Sequence, residues 1–167
     1  MNLAPLSAAR RRFTLVYPRH SSGRPFSSCR RYCTGLYLNQ CGEDGFSSGM
    51  AYHLRRNMEP LFVKGKVDLV LWGHEHSYER IHPVVNGTVV GRTTDHPGAP
   101  INLVLGMGGA DNSYMSGWIK PAPAWVAHRE MTYGHGRITL VSATELHFEY
   151  VATDGVVHDE FYLNKTE

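Results

Sequence analysis

A layered α/β fold is expected from three consecutive features of this chain. A helix-period stretch starts near Ser47. A nearly continuous apolar run, Val67 to Trp72, comes next. The remainder reads as short strands separated by turns. A helix followed by a strand buried on both faces is the repeating unit of layered α/β architectures.

Each element has a local reason. Met50, Leu54, Met58, Leu61 and Phe62 recur at spacings of three and four, which places one apolar stripe along a helix. Ser47 or Ser48 can cap its start, because a serine hydroxyl accepts from an unpaired helix N–H. Pro60 is expected to bend the helix or split off its last turn, and Gly65 to end it. In Val67-Asp68-Leu69-Val70-Leu71-Trp72 only Asp68 is polar. Asn86-Gly87 is a hairpin signal ahead of a short strand, Thr88 to Arg92. Ile101 to Leu105 reads as a buried strand ended by Gly106-Met107-Gly108-Gly109, and residues 111–134 as a long loop. Strands are then expected over 137–142, 146–152 and 156–163, the last two joined by Thr153-Asp154-Gly155. Leu146, Phe148 and Tyr150 alternate on one face, as do Val157, Phe161 and Leu163. Residues 1–46 have no clean period apart from Phe13 to Tyr17, a candidate short strand.

The 167 residues suit one domain of ordinary composition, with 42% hydrophobic and 19% charged residues. A net charge of +2 gives no case for a nucleic-acid surface, and Arg10-Arg11-Arg12 reads as a solvated basic stretch. No apolar run approaches the roughly 18 residues of a membrane span, and the first residues carry no clear secretory signal. Cys29, Cys33 and Cys41 match no zinc spacing; one local disulfide and three free thiols both stay open.

Chemistry concentrates in Gly73-His74-Glu75-His76, directly after the apolar run. In an extended segment, side chains two apart point the same way, so both imidazoles can face one site. Neutral imidazole suits zinc, iron and copper, and open α/β sheets place their functional groups just past the carboxyl ends of strands. His74 and His76 are therefore the candidate metal ligands. No catalytic residue is assigned. Gly106-Met107-Gly108-Gly109 reads as a tight turn rather than a phosphate cradle, since it lacks the Lys and Ser/Thr of a P-loop. Glu75 and Tyr78-Glu79-Arg80 could orient the ligands or form a surface salt bridge between Glu79 and Arg80 or a neighbour. His128, His135 and His147 read as hydrogen-bonded structural histidines, and His82 and His96 as exposed loop residues.

The segment Val67 to Pro83, VDLVLWGHEHSYERIHP, resembles the last metal motif of purple acid phosphatases, G-H-x-H followed by Y-E-R. Asn86-Gly87-Thr88, Pro100 to Ala110, Trp125 to Ile138 and Glu145 to Leu163 resemble later segments of that family, in the same order. The resemblance covers roughly residues 48–164 and implies the C-terminal half of a metallophosphoesterase αββα sandwich with a mostly β C-terminal module. The expected division is an irregular segment at 1–46, the end of the metallophosphoesterase core at 47–99 and the C-terminal module at 100–167. It further implies an acid phosphatase acting on phosphate monoesters with Fe(III) plus a divalent metal (Zn, Mn or Fe), in a secreted or vacuolar/lysosomal setting. Carried over by position, His74 binds the divalent metal and His76 the iron. The family's earlier motifs, G-D-x-G, G-D-x-x-Y and G-N-H, do not occur in the 167 residues. Where the family has H-R-P, this chain has Gly23-Arg24-Pro25, with His20 nearby as a candidate substitute. The expectation is a truncated form lacking several metal ligands. The competing readings are a degenerate, non-catalytic relative serving as a binding or structural module, and a mononuclear zinc domain using His74, His76 and His20 or a cysteine.

Overall fold

A computed structural model describes residues 13–16, 35–37, 49–73, 75–109 and 117–165. The expectations for His20, His74 and the three cysteines lie outside these residues.

Among the described residues one long helix is present, α1 (Gly49–Lys64). It runs unbroken through Pro60 to Lys64, so Pro60 does not split off the last turn. Leu54, Met58 and Phe62 pack against the sheet below it, as the period predicts, whereas Leu61 is exposed. The helix ends at Lys64, directly before Gly65 as expected, but the left-handed residue of its ending is one position further on. Lys66, at φ 50°, takes the left-handed position that Gly65 was expected to fill. The Lys66 N–H donates to Val63 and the Val67 N–H to Phe62, at 3.1 and 3.0 Å. That pair of bonds is the Schellman ending, which satisfies the last carbonyls of the helix.

The strands are β1 (Leu15–Val16), β2 (Leu69–Trp72), β3 (Tyr78–Ile81), β4 (Val84–Val85), β5 (Thr88–Val89), β6 (Ile101–Leu105), β7 (Val126–Glu130), β8 (Gly134–Leu140), β9 (Glu145–Ala152) and β10 (Val157–Asn164). Five of them form one sheet in the order β1-β2-β6-β3-β7. β1, β2 and β6 run parallel, and β3 is antiparallel to both β6 and β7. β8, β9 and β10 form a separate antiparallel sheet with β9 in the centre, and β4 and β5 form a small hairpin. The hairpin turns at Asn86 and Gly87, both at positive φ (47° and 77°), as a two-residue turn of this kind requires.

β7 corrects the expectation of an unbroken loop over 111–134. Its five residues, Val-Ala-His-Arg-Glu, are half-buried throughout because it is the edge strand beside β3. Neither face is fully apolar, so no alternation marks it in the sequence.

Alternation along the strands sends alternate residues to opposite layers. On one face, Val70, Trp72, Ile81 and Val104 meet Phe62 of α1 together with Leu36 and Tyr37. On the other, Leu69, Tyr78, Ile101 and Leu103 meet Leu146, Phe148, Tyr150, Phe161 and Leu163 of the three-stranded sheet. The described residues thus form three layers, helix, mixed sheet and antiparallel sheet. This layering is the one expected for the C-terminal half of an αββα sandwich. Asp68, the one polar residue of the apolar run, sits just before β2. Its Oδ2 accepts from the Thr14 N–H at 2.8 Å and from Lys165 Nζ at 3.1 Å, tying β1 to the end of β10.

The left-handed Lys66 supplies a test of the helix ending. It is exposed, and a side chain at positive φ is strained where glycine is not. Lys66→Gly should stabilise the fold by about 0.5–1 kcal/mol, read as a higher midpoint in thermal unfolding. An unchanged or lower midpoint would contradict the assigned ending.

Candidate metal loop

β2 and β6 run parallel and end side by side, and β3 begins at the same end. The chain between β2 and β3 is the Gly73 to Ser77 loop, so the motif lies at the carboxyl edge of the parallel strands. His76 is half-buried there, and Glu75 and Ser77 are buried. His74 is outside the described residues.

The loop is bent where the sequence suggested an extended segment. The Glu75 N–H donates to the Gly73 carbonyl at 3.0 Å, and the Ser77 N–H to the Glu75 carbonyl at 2.8 Å. The second of these i→i+2 bonds gives residues 75–77 the γ-turn pattern. Closing so tight a loop requires a neighbour without a side chain. A Cβ placed on Gly106 would lie 1.6 Å from the Glu75 oxygen. Gly106 also donates its N–H to the Ser77 carbonyl at 3.1 Å. The first glycine of Gly106-Met107-Gly108-Gly109 therefore seats the loop, a role that reading the run as a turn alone does not include. Gly108 has nothing within 4 Å of its Cβ position.

The residues after the loop do more than sit beside a ligand. Tyr78 and Arg80 point toward the three-stranded sheet and close on Asp159 of β10. The Tyr78 hydroxyl donates to Asp159 Oδ2 at 2.6 Å. Arg80 Nε donates to Oδ2 at 2.7 Å and its second guanidinium nitrogen to Oδ1 at 2.9 Å. This fork geometry is the strongest form of arginine–carboxylate pairing. Asp159 is 79 residues from Arg80 in sequence, which is why the sequence suggests a local pair with Glu79 and not this one. Glu79 instead points to the opposite face, is 0% exposed, and accepts from Ser77 Oγ at 3.0 Å. The expected Glu79–Arg80 surface pair is corrected on that ground: adjacent strand residues face opposite layers.

The Tyr78 ring stacks on Tyr150 with centroids 3.9 Å apart and planes 4° from parallel. Burial, then the neighbouring Asp159 charge, pushes the Tyr78 hydroxyl far above its ordinary range, so it remains a donor. Burial opposes the Arg80 charge, but the bonds and charge of Asp159 outweigh it and hold the guanidinium above its usual value. The Tyr150 hydroxyl, pushed up to about 12 by burial and by Glu130, donates to the Thr132 carbonyl at 2.6 Å.

Other expected histidines take varied roles. His128 lies 3.9 Å from Asp159 and 3.7 Å from Glu130, and its Nε2 has no hydrogen-bond partner among the described residues. The expectation of a hydrogen-bonded His128 is not met at that nitrogen. His135 is exposed. His82, expected to be exposed, is half-buried, with its ring 3.2 Å from Arg92; burial, then Arg92 and Arg80, lowers its pKa.

Among the described residues, one group of three possible metal ligands has its ligand atoms within 4.8 Å of one another: His147, Glu149 and Glu160. These residues are on the outer face of the three-stranded sheet, opposite buried Leu146, Phe148 and Tyr150. Arg137 takes both oxygens of Glu149, at 2.7 and 2.6 Å. The group is a surface ion network away from the loop. His76 belongs to no such group among the described residues.

A helix layer over a mixed sheet, a second antiparallel sheet, and a Gly-His-Glu-His loop at the carboxyl edge of buried parallel strands are consistent with a partial metallophosphoesterase fold. Residues 99–160 match the family model described as iron/zinc purple acid phosphatase-like protein C. The human protein "Acid phosphatase type 7" is 31% identical over 79% of this chain and 32% of its own length. An Arabidopsis thaliana relative, "Probable inactive purple acid phosphatase 1", is 34% identical over 66% of this chain and 18% of its own. Among solved structures, the purple acid phosphatase PPD1 from yellow lupin (Lupinus luteus) seeds is similar with a TM-score of 0.58 and 27% identity, over 66% of this chain and 19% of that one. The resemblance to purple acid phosphatases read from the sequence holds over the matched residues. The chain spans less than a third of the length of the human relative.

Two pairs of variants test how the loop is held. Gly106→Ala should cost on the order of 3 kcal/mol, because backbone must move, whereas Gly108→Ala should be near neutral in the same denaturant titration. Asp159→Asn leaves a largely buried guanidinium without its counter-charge and should cost on the order of 3 kcal/mol. Tyr78→Phe, which keeps the ring, should cost about 1 kcal/mol. Equal losses for Asp159→Asn and Tyr78→Phe would show that the ion pair adds nothing beyond the hydroxyl contact.

Proposed function

We propose that the chain supplies the C-terminal side of a two-metal acid phosphatase site, with His74 and His76 as two of the metal ligands. The observation that carries this reading is the position of the loop. It emerges from buried parallel strands at their carboxyl edge, and Gly106 and the Asp159 anchor hold it there. In this reading His74 binds a divalent metal (Zn, Mn or Fe) and His76 an Fe(III). When bound, the metal pair supplies charge stabilisation and a nucleophilic hydroxide for phosphate monoester hydrolysis. The residues of this chain hold and orient those two ligands. The remaining ligands, a bridging carboxylate included, are not among the described residues, and the G-D-x-G, G-D-x-x-Y and G-N-H motifs are absent from the 167. The chain by itself would then bind metal weakly and hydrolyse phosphate esters poorly.

A second reading has its own support. The same absent motifs, together with the relative named as probably inactive, suit a non-catalytic relative that keeps the scaffold as a binding or structural module.

One experiment separates them. The chain is joined to the N-terminal part of an active purple acid phosphatase carrying the three missing motifs. The first reading expects acid phosphatase activity that falls by more than roughly 100-fold in His74→Ala and in His76→Ala, beyond what loss of an outer-shell partner costs. A chimera that folds and loads two metals yet stays inactive, or one indifferent to both substitutions, supports the second reading. The transcript's upstream reading frame gives an independent check, because the first reading expects it to encode those motifs.

A further inference from the structure

Two segments of this chain, Asn86-Gly87-Thr88 and Asn164-Lys165-Thr166, have the acceptor pattern for N-linked glycans. The fold treats them differently. Asn86 is exposed at the tip of the β4–β5 hairpin, and Thr88 beside it is exposed as well. The turn is fixed through its backbone alone. The Asn86 N–H donates to Glu59 Oε2 at 2.9 Å, and the Gly87 N–H to the Tyr37 hydroxyl at 3.0 Å. That hydroxyl in turn donates to Glu59 Oε1. The hairpin thus holds its shape without the Asn86 carboxamide, which can carry a bulky group at no cost in packing.

Asn164 is in the opposite situation. It is the last residue of β10, paired with Glu145, and half-buried. Its N–H donates to Thr94 at 3.1 Å, its carbonyl accepts from His96 at 2.9 Å, and it bridges to Asp95. The next residue, Lys165, is bonded to Thr144 through its N–H and to Asp68 through Nζ. The Asn164 backbone is thus held on both sides, by β9 and by the 94–96 segment, and would have to leave the strand to enter a transferase.

We propose that Asn86 is an N-glycan attachment site of this protein, and that Asn164 carries no glycan in the folded chain despite the same pattern. The Asn86 Nδ2 attacks the anomeric carbon of an oligosaccharide carried on a lipid pyrophosphate. The N–C bond forms, the glycosyl–phosphate bond breaks, the lipid pyrophosphate leaves, and the amide proton passes to a base of the transferase. The inference rests on the hairpin geometry and is independent of the metal reading.

The modification needs entry into the secretory path, so the test delivers the full chain there behind a cleavable leader in a eukaryotic host. Cell lysate and secreted protein are both read by gel mobility before and after peptide N-glycosidase F. Peptide mass spectrometry then locates the resulting aspartate. The expected result is one glycan, removed completely by Thr88→Ala, retained in Thr88→Ser, and unchanged in Thr166→Ala. Reading the lysate keeps the test decisive if a variant is not secreted. An unglycosylated wild-type chain, a shift that persists in Thr88→Ala, or a second glycan lost in Thr166→Ala would overturn the proposal.

Discussion

The anchor of Tyr78 and Arg80 on Asp159 is the contact on which the rest of the arrangement depends. It joins the mixed sheet to the three-stranded sheet through three hydrogen bonds to one carboxylate. A buried ion pair contributes little by itself, because removing two charges from water offsets most of the attraction. Its value here is positional. The stacked ring of Tyr150 excludes water from one side of Tyr78, and an offset or parallel aromatic contact adds about 1 kcal/mol beyond its buried area. The strand that leaves the Gly73 to Ser77 loop is thereby held in one register against β10. A sliding β3 would carry His76 with it.

The loop is held from its other side by a close backbone approach. Gly106 at the end of β6 contacts the Glu75 carbonyl more closely than any side chain would allow. Both restraints act within a few residues of His76, one through charge and the other through the absence of a Cβ. Metal ligands built on rigid elements and supported by neighbouring bonds are the ones that keep their geometry. The antiparallel sheet is part of that support, since Asp159 and Tyr150 both belong to it.

Much of this was legible in residue order. The helix, the buried β2 and the alternation of Leu146, Phe148, Tyr150, Phe161 and Leu163 follow from period alone, because each has one clearly apolar face, whereas Val157, expected on the same face, is exposed beyond a register shift in β10. The Asn86-Gly87 hairpin follows from the positive φ that both turn residues need. Other features left no such mark. β7 was hidden because an edge strand with two half-buried faces has no alternation to show. The Schellman ending at Lys66 was hidden because a left-handed lysine has no sequence signature. The partner of Arg80 was hidden because strand pairing brings in a carboxylate far along the chain.

The sequence by itself determined the local chemistry: a Gly-His-Glu-His loop after a buried strand, a glycine run after a second strand, and a family resemblance that comparison with known proteins bears out. Local chemistry is legible because it depends on residue type and spacing. Only the tertiary structure decided that Gly106 seats the loop and that Asp159 anchors it. It also showed that one acceptor asparagine stands clear while the other is tied into a strand. These depend on which distant backbone lies within a few ångströms, and that is set by the packing of two sheets rather than by the order of neighbouring residues.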